Sequence, residues 1–233
     1  MNQKDSKIAL VTGGNRGIGL AIAQGLQAKG YRLIVTARSL DKAQAAAAKL
    51  GATTIPLELD ISSDRSIEEA VATLKQNIEG LDVLVNNAGI YPDSNVNILT
   101  TTRDLLALGM NTNAFGTILT VQALLPLLEQ SSDPRVINIS SGMGALDGLT
   151  TTAPSYCLSK LALNGATIML AQSLESKGIV VNAMCPGWVK TDMGGSAAPR
   201  STQEGADTAI WLATEASRDE SGKFWRDRQV IVY

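Results

Sequence analysis

Short apolar runs alternate with amphipathic stretches along nearly all of this 233-residue chain. The runs Ile8–Val11, Arg32–Ala37, 54–57, Val83–Asn86, Arg135–Ile139, Val180–Met184 and 229–232 have the length of strands. Between them, segments 18–29, 41–50, 65–78, 102–129, 153–177 and Thr202–Thr214 repeat apolar positions at helical spacing. The 102–129 stretch is long enough for two helices meeting near Asn111 to Asn113. Strands apolar on both faces and separated by helices predict a parallel sheet covered on both sides. The expectation is a doubly wound α/β layer of about seven strands, in one domain over 1–233. The least regular segment, 192–201, carries Gly194, Gly195 and Pro199 and reads as a mobile surface loop.

Composition narrows the function classes. Hydrophobic residues make up 45% and charged residues 18%, with a net charge of −2, as in ordinary globular domains. There is no basic tract, so no nucleic-acid partner is expected. The longest apolar stretch, 114–128, is broken by Gly116, Thr117, Thr120, Gln122 and Pro126 and is too short for a bilayer. The polar start M-N-Q-K-D-S-K does not read as a signal peptide. Cys157 and Cys185 form no C-x-x-C and read as small packing residues in a reduced, cytoplasmic protein. Histidine is absent from the sequence, which excludes imidazole-based metal sites and a Ser-His-Asp triad. Acid–base chemistry is left to Tyr, Lys, Asp, Glu, Cys or water.

Two patterns carry chemistry. The first strand runs into T-G-G-N-R-G-I-G, residues 12 to 19, with Gly13, Gly17 and Gly19 spaced G-x-x-x-G-x-G before a helix. Such a loop lets backbone N–H groups approach a pyrophosphate at a positive helix terminus. Asn15, Arg16 and Ile18 share the loop. The second strand ends in Ala37 and Arg38, with no carboxylate before Asp41. Arg16 and Arg38 suit a 2′-phosphate, which points to NADP(H). Asp60, after the third strand, is placed to accept from an adenine amino group; capping of the next helix through Asp60, Ser62 or Ser63 is the alternative. The second pattern is Tyr156 and Lys160, one helical turn apart, where an ammonium near a phenol would lower its pKa.

With N-N-A-G at 86–89, N-A-F-G at 113–116, N-I-S-S at 138–141, Y-C-L-S-K at 156–160 and C-P-G-W-V-K-T-D-M at 185–193, the chain resembles the short-chain dehydrogenases/reductases, in their carbonyl-reductase-like branch. The resemblance implies a Rossmann-like domain and a tetrad of Asn113, Ser141, Tyr156 and Lys160. Tyr156 would be the general acid/base, Ser141 would stabilise the oxyanion, Lys160 would lower the tyrosine pKa and bind ribose, and Asn113 would hold a proton-relay water. It also implies cofactor contacts from Ile61, Asn87, Ala88, Gly89, Pro186, Gly187, Val189 and Thr191. Substrate-side residues would be 142–149, Tyr91, Trp188 and the 192–201 loop, with Met143, Leu146, Leu149 and Trp188 making an apolar pocket. Only fifteen positions separate Ser141 from Tyr156, so the long insertion of monomeric relatives is missing and a homodimer or homotetramer is implied. The implied reaction is NADPH-dependent reduction of a small ketone or aldehyde, reversible to alcohol oxidation. Reduction of 3-oxoacyl thioesters and non-catalytic NADP(H) sensing are the competing readings.

Overall fold

The computed structural model describes residues 6–233, so the reading of the N-terminal run as no signal peptide falls largely outside the described residues. Eight strands form one sheet in the order β3-β2-β1-β4-β5-β6-β7-β8. They are β1 (Ile8–Val11), β2 (Arg32–Ala37), β3 (Ile55–Glu58), β4 (Val83–Asn86), β5 (Arg135–Ile139), β6 (Val180–Met184), β7 (Phe224–Arg226) and β8 (Gln229–Ile231). All neighbours pair in parallel except β7 and β8. The expected last strand at 229–232 is thus an antiparallel return strand. The strand that completes the parallel sheet is the three-residue β7, which the sequence reading missed.

The helices are α1 (Gly17–Ala28), α2 (Leu40–Leu50), α3 (Asp64–Asn77), α4 (Arg103–Gly109), α5 (Gly116–Leu128), α6 (Pro154–Leu174) and α7 (Thr202–Thr214). The pleat sends alternate strand residues into two cores. Val11, Val35, Val85 and Ile137 pack with α1, α2 and α7 on one face. Their neighbours Leu10, Ile34, Leu84 and Val136 pack with α3, α5 and α6 on the other. Leu10 is fully buried, and its truncation to alanine would cost about 2–5 kcal/mol. Among the described residues, no helix is long and apolar enough to cross a membrane.

Where two helices were expected over 102–129, α4 and α5 run on through a π turn, Met110–Phe115. The strand order reverses between β1 and β4, so their connections leave in opposite directions and open a crevice at their carboxyl ends. The candidate site occupies that crevice.

Candidate active site

A cleft of about 2130 Å³ runs along the carboxyl ends of β1 to β6. That exceeds the ~300–1,000 Å³ of an ordinary small-ligand pocket and leaves room for an extended ligand beside a second molecule. Gly13, Asn15, Arg16, Gly17, Ile18, Gly19, Arg38, Asp60, Ile61, Asn87, Ala88, Gly89, Pro186, Gly187, Val189 and Thr191 all line it, as do Ser141, Tyr156 and Lys160.

At the β1–α1 turn, Gly13 and Gly17 take φ of 61° and 55°, a region that side chains resist. A Cβ on Gly19 would stand 2.4 Å from Asn87 Nδ2 and 2.5 Å from the Gly13 carbonyl, so only glycine fits there. Asn87 fastens β4 to this loop, donating from Nδ2 to the carbonyls of Thr12 at 2.9 Å and Gly13 at 3.2 Å. The amides of Asn87 and Ala88 donate in turn to Thr12 Oγ1. The start of α1 has no side-chain cap and no acidic residue in its first turn. Its N–H groups and dipole therefore face the cleft, where they suit the pyrophosphate of a dinucleotide. Thr191 overhangs this turn, its Cγ2 lying 3.3 Å from where a Gly17 Cβ would be.

Arg16 forms an ion pair with Asp192 across the cleft mouth, both side chains exposed. Arg38 is exposed on the lining with Lys42, which the sequence reading passed over. Asp60 accepts from Ser62 N at 2.9 Å and Ser62 Oγ at 2.6 Å, while the α3 cap is Ser63.

The tetrad residues come from the turn just past β5, the π turn and α6. Ser141 neighbours the Tyr156 phenol and acts to lower its pKa, and its Oγ accepts from Met143 N at 3.1 Å. Ser140 gives its hydroxyl to Asn164 Oδ1 at 2.6 Å, which leaves Ser141 as the hydroxyl beside the phenol. Lys160 is buried, and its Nζ donates to the Ile139 carbonyl at 2.8 Å, 5.8 Å from the Tyr156 ring centroid. Asn113 is fully buried and does not line the cleft. Its amide clamps the loop after β4, accepting from Ile90 N at 2.8 Å and donating to Ile90 O at 2.9 Å and Ser159 Oγ at 2.9 Å. A Gly89 Cβ would meet Asn113 Oδ1 at 3.1 Å and Lys160 Nζ at 3.5 Å, so the three groups adjoin. Asn111 instead reaches the Ser62 carbonyl on the exposed side.

Asp93, nearly fully buried, is a positioning residue that sequence reasoning missed. Its carboxylate accepts from Ser155 N at 2.5 Å and Tyr156 N at 3.3 Å, capping α6 from a distant loop. A negative charge at a helix N-terminus is favourable, and here it fixes the turn bearing Tyr156. Ala153, just ahead of α6, is held in the left-handed region at φ 54°, at a cost of about 1–2 kcal/mol. No local pattern in the sequence links a carboxylate to a helix some sixty positions away.

The expected lowering of the tyrosine pKa is not what this structure has. Burial pushes the phenol up to about 12, against the opposing influence of Ser141. Burial likewise lowers Lys160 to about 8. The ammonium is turned to the Ile139 carbonyl rather than to the phenol oxygen, and burial is the larger influence.

At the other end of the cleft, Tyr91, Leu108, Met143, Trp188, Met193, Ile231 and Val232 supply apolar surface. Leu146 and Leu149, expected in this pocket, are exposed and lie outside it. Of the 192–201 segment, Asp192, Met193, Gly194 and Arg200 line the cleft. Cys185, read from sequence as packing, is a hydrogen-bond acceptor on the cleft wall. Its Sγ receives Gly142 N at 3.1 Å, Gly187 N at 3.4 Å and Arg226 Nη2 at 2.8 Å.

The short chain dehydrogenase family model matches residues 7–202. Short-chain dehydrogenase anuI of Penicillium roqueforti is 35% identical over 97% of this chain and 96% of its own length. The 3-oxoacyl-[acyl-carrier-protein] reductase FabG of Haemophilus influenzae is 38% identical over 80% of this chain and 76% of its own. The NADPH-bound carbonyl reductase from chicken fatty liver superposes with a TM-score of 0.90 at 30% identity, covering 98% of this chain and 99% of that one. The carbonyl reductase Sniffer of D. melanogaster gives 0.85 at 31% identity, covering 94% and 95%. With one family model spanning most of its length and a relative alike from end to end, the chain belongs to the short-chain dehydrogenase family.

Proposed function

We propose that the protein is an NADP(H)-dependent oxidoreductase that reduces a ketone or aldehyde to the alcohol. The observation that carries this reading is the Ser141 hydroxyl, the Tyr156 phenol and the Lys160 amine on one wall of a cleft that begins at an uncapped helix terminus. The likeness to a carbonyl reductase described as NADPH-bound supports the cofactor. Gly13, Gly17 and Gly19 with the N–H groups of α1 would hold the pyrophosphate, Arg38 and Lys42 the 2′-phosphate, Asp60 and Ile61 the adenine. Asn87 to Gly89, Pro186, Gly187, Val189 and Thr191 would hold the nicotinamide half. Bound there, the cofactor supplies the hydride.

The chain's own groups do the rest. Tyr156 donates its phenolic proton to the carbonyl oxygen, and Ser141 steadies the charge that builds on that oxygen. A phenol near 12 is protonated at neutral pH and remains a far stronger acid than an alcohol, so it serves proton donation. Lys160 Nζ would bind ribose hydroxyls and hand on the replacement proton, which an amine near pKa 8 can release. The Asn113 amide holds Ile90 and Ser159 and its backbone carbonyl accepts from Thr117 Oγ1 at 3.1 Å, so a relay water would share that carbonyl in the π turn.

Initial rates at 340 nm over a panel of carbonyl compounds, with NADPH and NADH in parallel, test cofactor and chemistry together. Higher kcat/KM with NADH overturns the cofactor assignment, and a panel without turnover overturns the reaction. The oxoacyl-reductase relatives favour a second reading, 3-oxoacyl thioesters as substrates. Acetoacetyl thioesters in the same panel decide between them. The exposed apolar side chains of Phe115, Leu119, Leu158 and Met169 along the π turn, α5 and α6 support a homodimer through this face. Light scattering with size-exclusion chromatography checks it against the 24.5 kDa chain.

A further inference from the structure

Three arginines cluster around β7 and β8, and their surroundings differ. Arg200 is held by Asp227, Nη2 to Oδ1 at 2.5 Å and Nη1 to Oδ2 at 3.2 Å. Arg228 is held by Asp207, Nε to Oδ2 at 2.8 Å and Nη2 to Oδ1 at 2.6 Å. Arg226, at the end of β7, has no carboxylate within ion-pair distance among the described residues. Its chain neighbour Asp227 is turned to Arg200, and Asp147, on the same cleft lining, makes no ion pair with it. Its guanidinium donates from Nη2 to Cys185 Sγ at 2.8 Å, and its Nε is enclosed without a partner. A thiol is a weak acceptor, and a guanidinium carries five donors.

This under-used cation lies on the cleft lining, beside the residue that follows Ser141. Arg226 lines the cleft, and its Nη2 lies 2.6 Å from where a Cβ on Gly142 would be, one residue past Ser141. Cys185 ties the same place to the Gly187 turn. The same cleft lining carries the apolar side chains of Met143, Trp188 and Ile231. A guanidinium that no carboxylate contacts directly, and on which Asp227 acts only at a distance, is better stabilised when an anion arrives. The planar guanidinium matches a carboxylate in shape and charge.

Resting on the reductase reading above, we propose that Arg226 anchors a carboxylate on the substrate, so that this site takes oxo acids in preference to neutral carbonyl compounds. The apolar body of the substrate lies against Met143 and Trp188 while the carboxylate meets the free edge of the guanidinium. The carbonyl then falls beside Ser141 and Tyr156.

The test compares an aryl oxo acid with its methyl ester, with NADPH, on wild type, Arg226→Met and Arg226→Lys. One charge-assisted contact predicts a wild-type acid-to-ester ratio of kcat/KM of roughly tenfold to a hundredfold. That ratio collapses toward one in Arg226→Met and partly returns in Arg226→Lys. An unchanged ratio in Arg226→Met, or a wild type that prefers the ester, overturns the proposal. Thermal unfolding of each variant shows that it is folded. Calorimetric titration with benzoate and benzamide, NADP⁺ present, judges the anion site without turnover, so a failed reductase reading is told apart from a failed anchor. Benzoate binding to wild type that is lost in Arg226→Met, with none of benzamide, supports it. Equal binding to both proteins, or no benzoate binding to wild type, overturns it.

Discussion

Lys160 Nζ donates to the Ile139 carbonyl at 2.8 Å while standing 5.8 Å from the centroid of the Tyr156 ring. Burial acts on the two groups in opposite senses, lowering the amine to about 8 and raising the phenol to about 12. Between about pH 8 and 10.5 the native chain holds fewer protons on Lys160 than the unfolded chain, so this group makes stability rise with pH. Tyr156 acts the other way from about pH 10 to 12. Relative to Lys160→Met, wild type should gain about 2 kcal/mol of stability between pH 7.5 and 9.5. Urea unfolding of both proteins across that range measures it, and parallel curves would refute the assignment.

Tyr156→Phe removes the proton donor and keeps the ring that packs on Tyr91, centroids 4.6 Å apart. We expect kcat/KM to fall by about 10²–10⁴, with NADPH affinity within about threefold of wild type. Steady-state rates and a fluorescence titration provide the two readouts. An unchanged kcat would remove Tyr156 from the chemistry.

Asp93→Ala strips the cap from α6 and leaves the Ser155 and Tyr156 amides unpaired. Stability should drop by about 1–2 kcal/mol, and kcat should fall more than KM rises because the altered turn carries the proton donor. Asp93→Asn retains an acceptor oxygen and should restore most of both. Equal losses in the two variants would argue against capping.

Arg16 is already paired with Asp192, whereas Arg38 makes no ion pair among the described residues. Arg38→Ala should therefore cut the NADPH-over-NADH preference by roughly tenfold or more, and Arg16→Ala by less. Asp192→Asn frees Arg16 and should lower the KM for NADPH, an effect that fades as salt is raised. If Arg16→Ala proves the more damaging, the ion pair opens when the cofactor binds.

Sequence pattern reached the elements whose signal is local. Five strands begin and end where the apolar runs do, because nearly every position in each is buried. β7 escaped because three residues, Phe224 to Arg226, show no period; their burial comes from pairing with β6. The glycine loop and the Tyr–Lys spacing were legible since both lie within one turn of chain. The Asp93 cap, the thiol of Cys185 as an acceptor, and Arg226 facing the cleft were not. Each depends on contacts between segments tens of residues apart, and a charged residue in a polar tail looks like any solvated one.

The π turn at Met110–Phe115 has one further implication. Such a turn lodges an additional residue, so α4 and α5 are out of phase by roughly a quarter of a revolution. Excising any one residue there would restore the phase at a steep cost. Either α5 would unseat Val121 and Leu124 from beneath the sheet, or α4 would screw round and pull Gly109 off Ser155. This stretch can accept a changed letter far more readily than a shorter word.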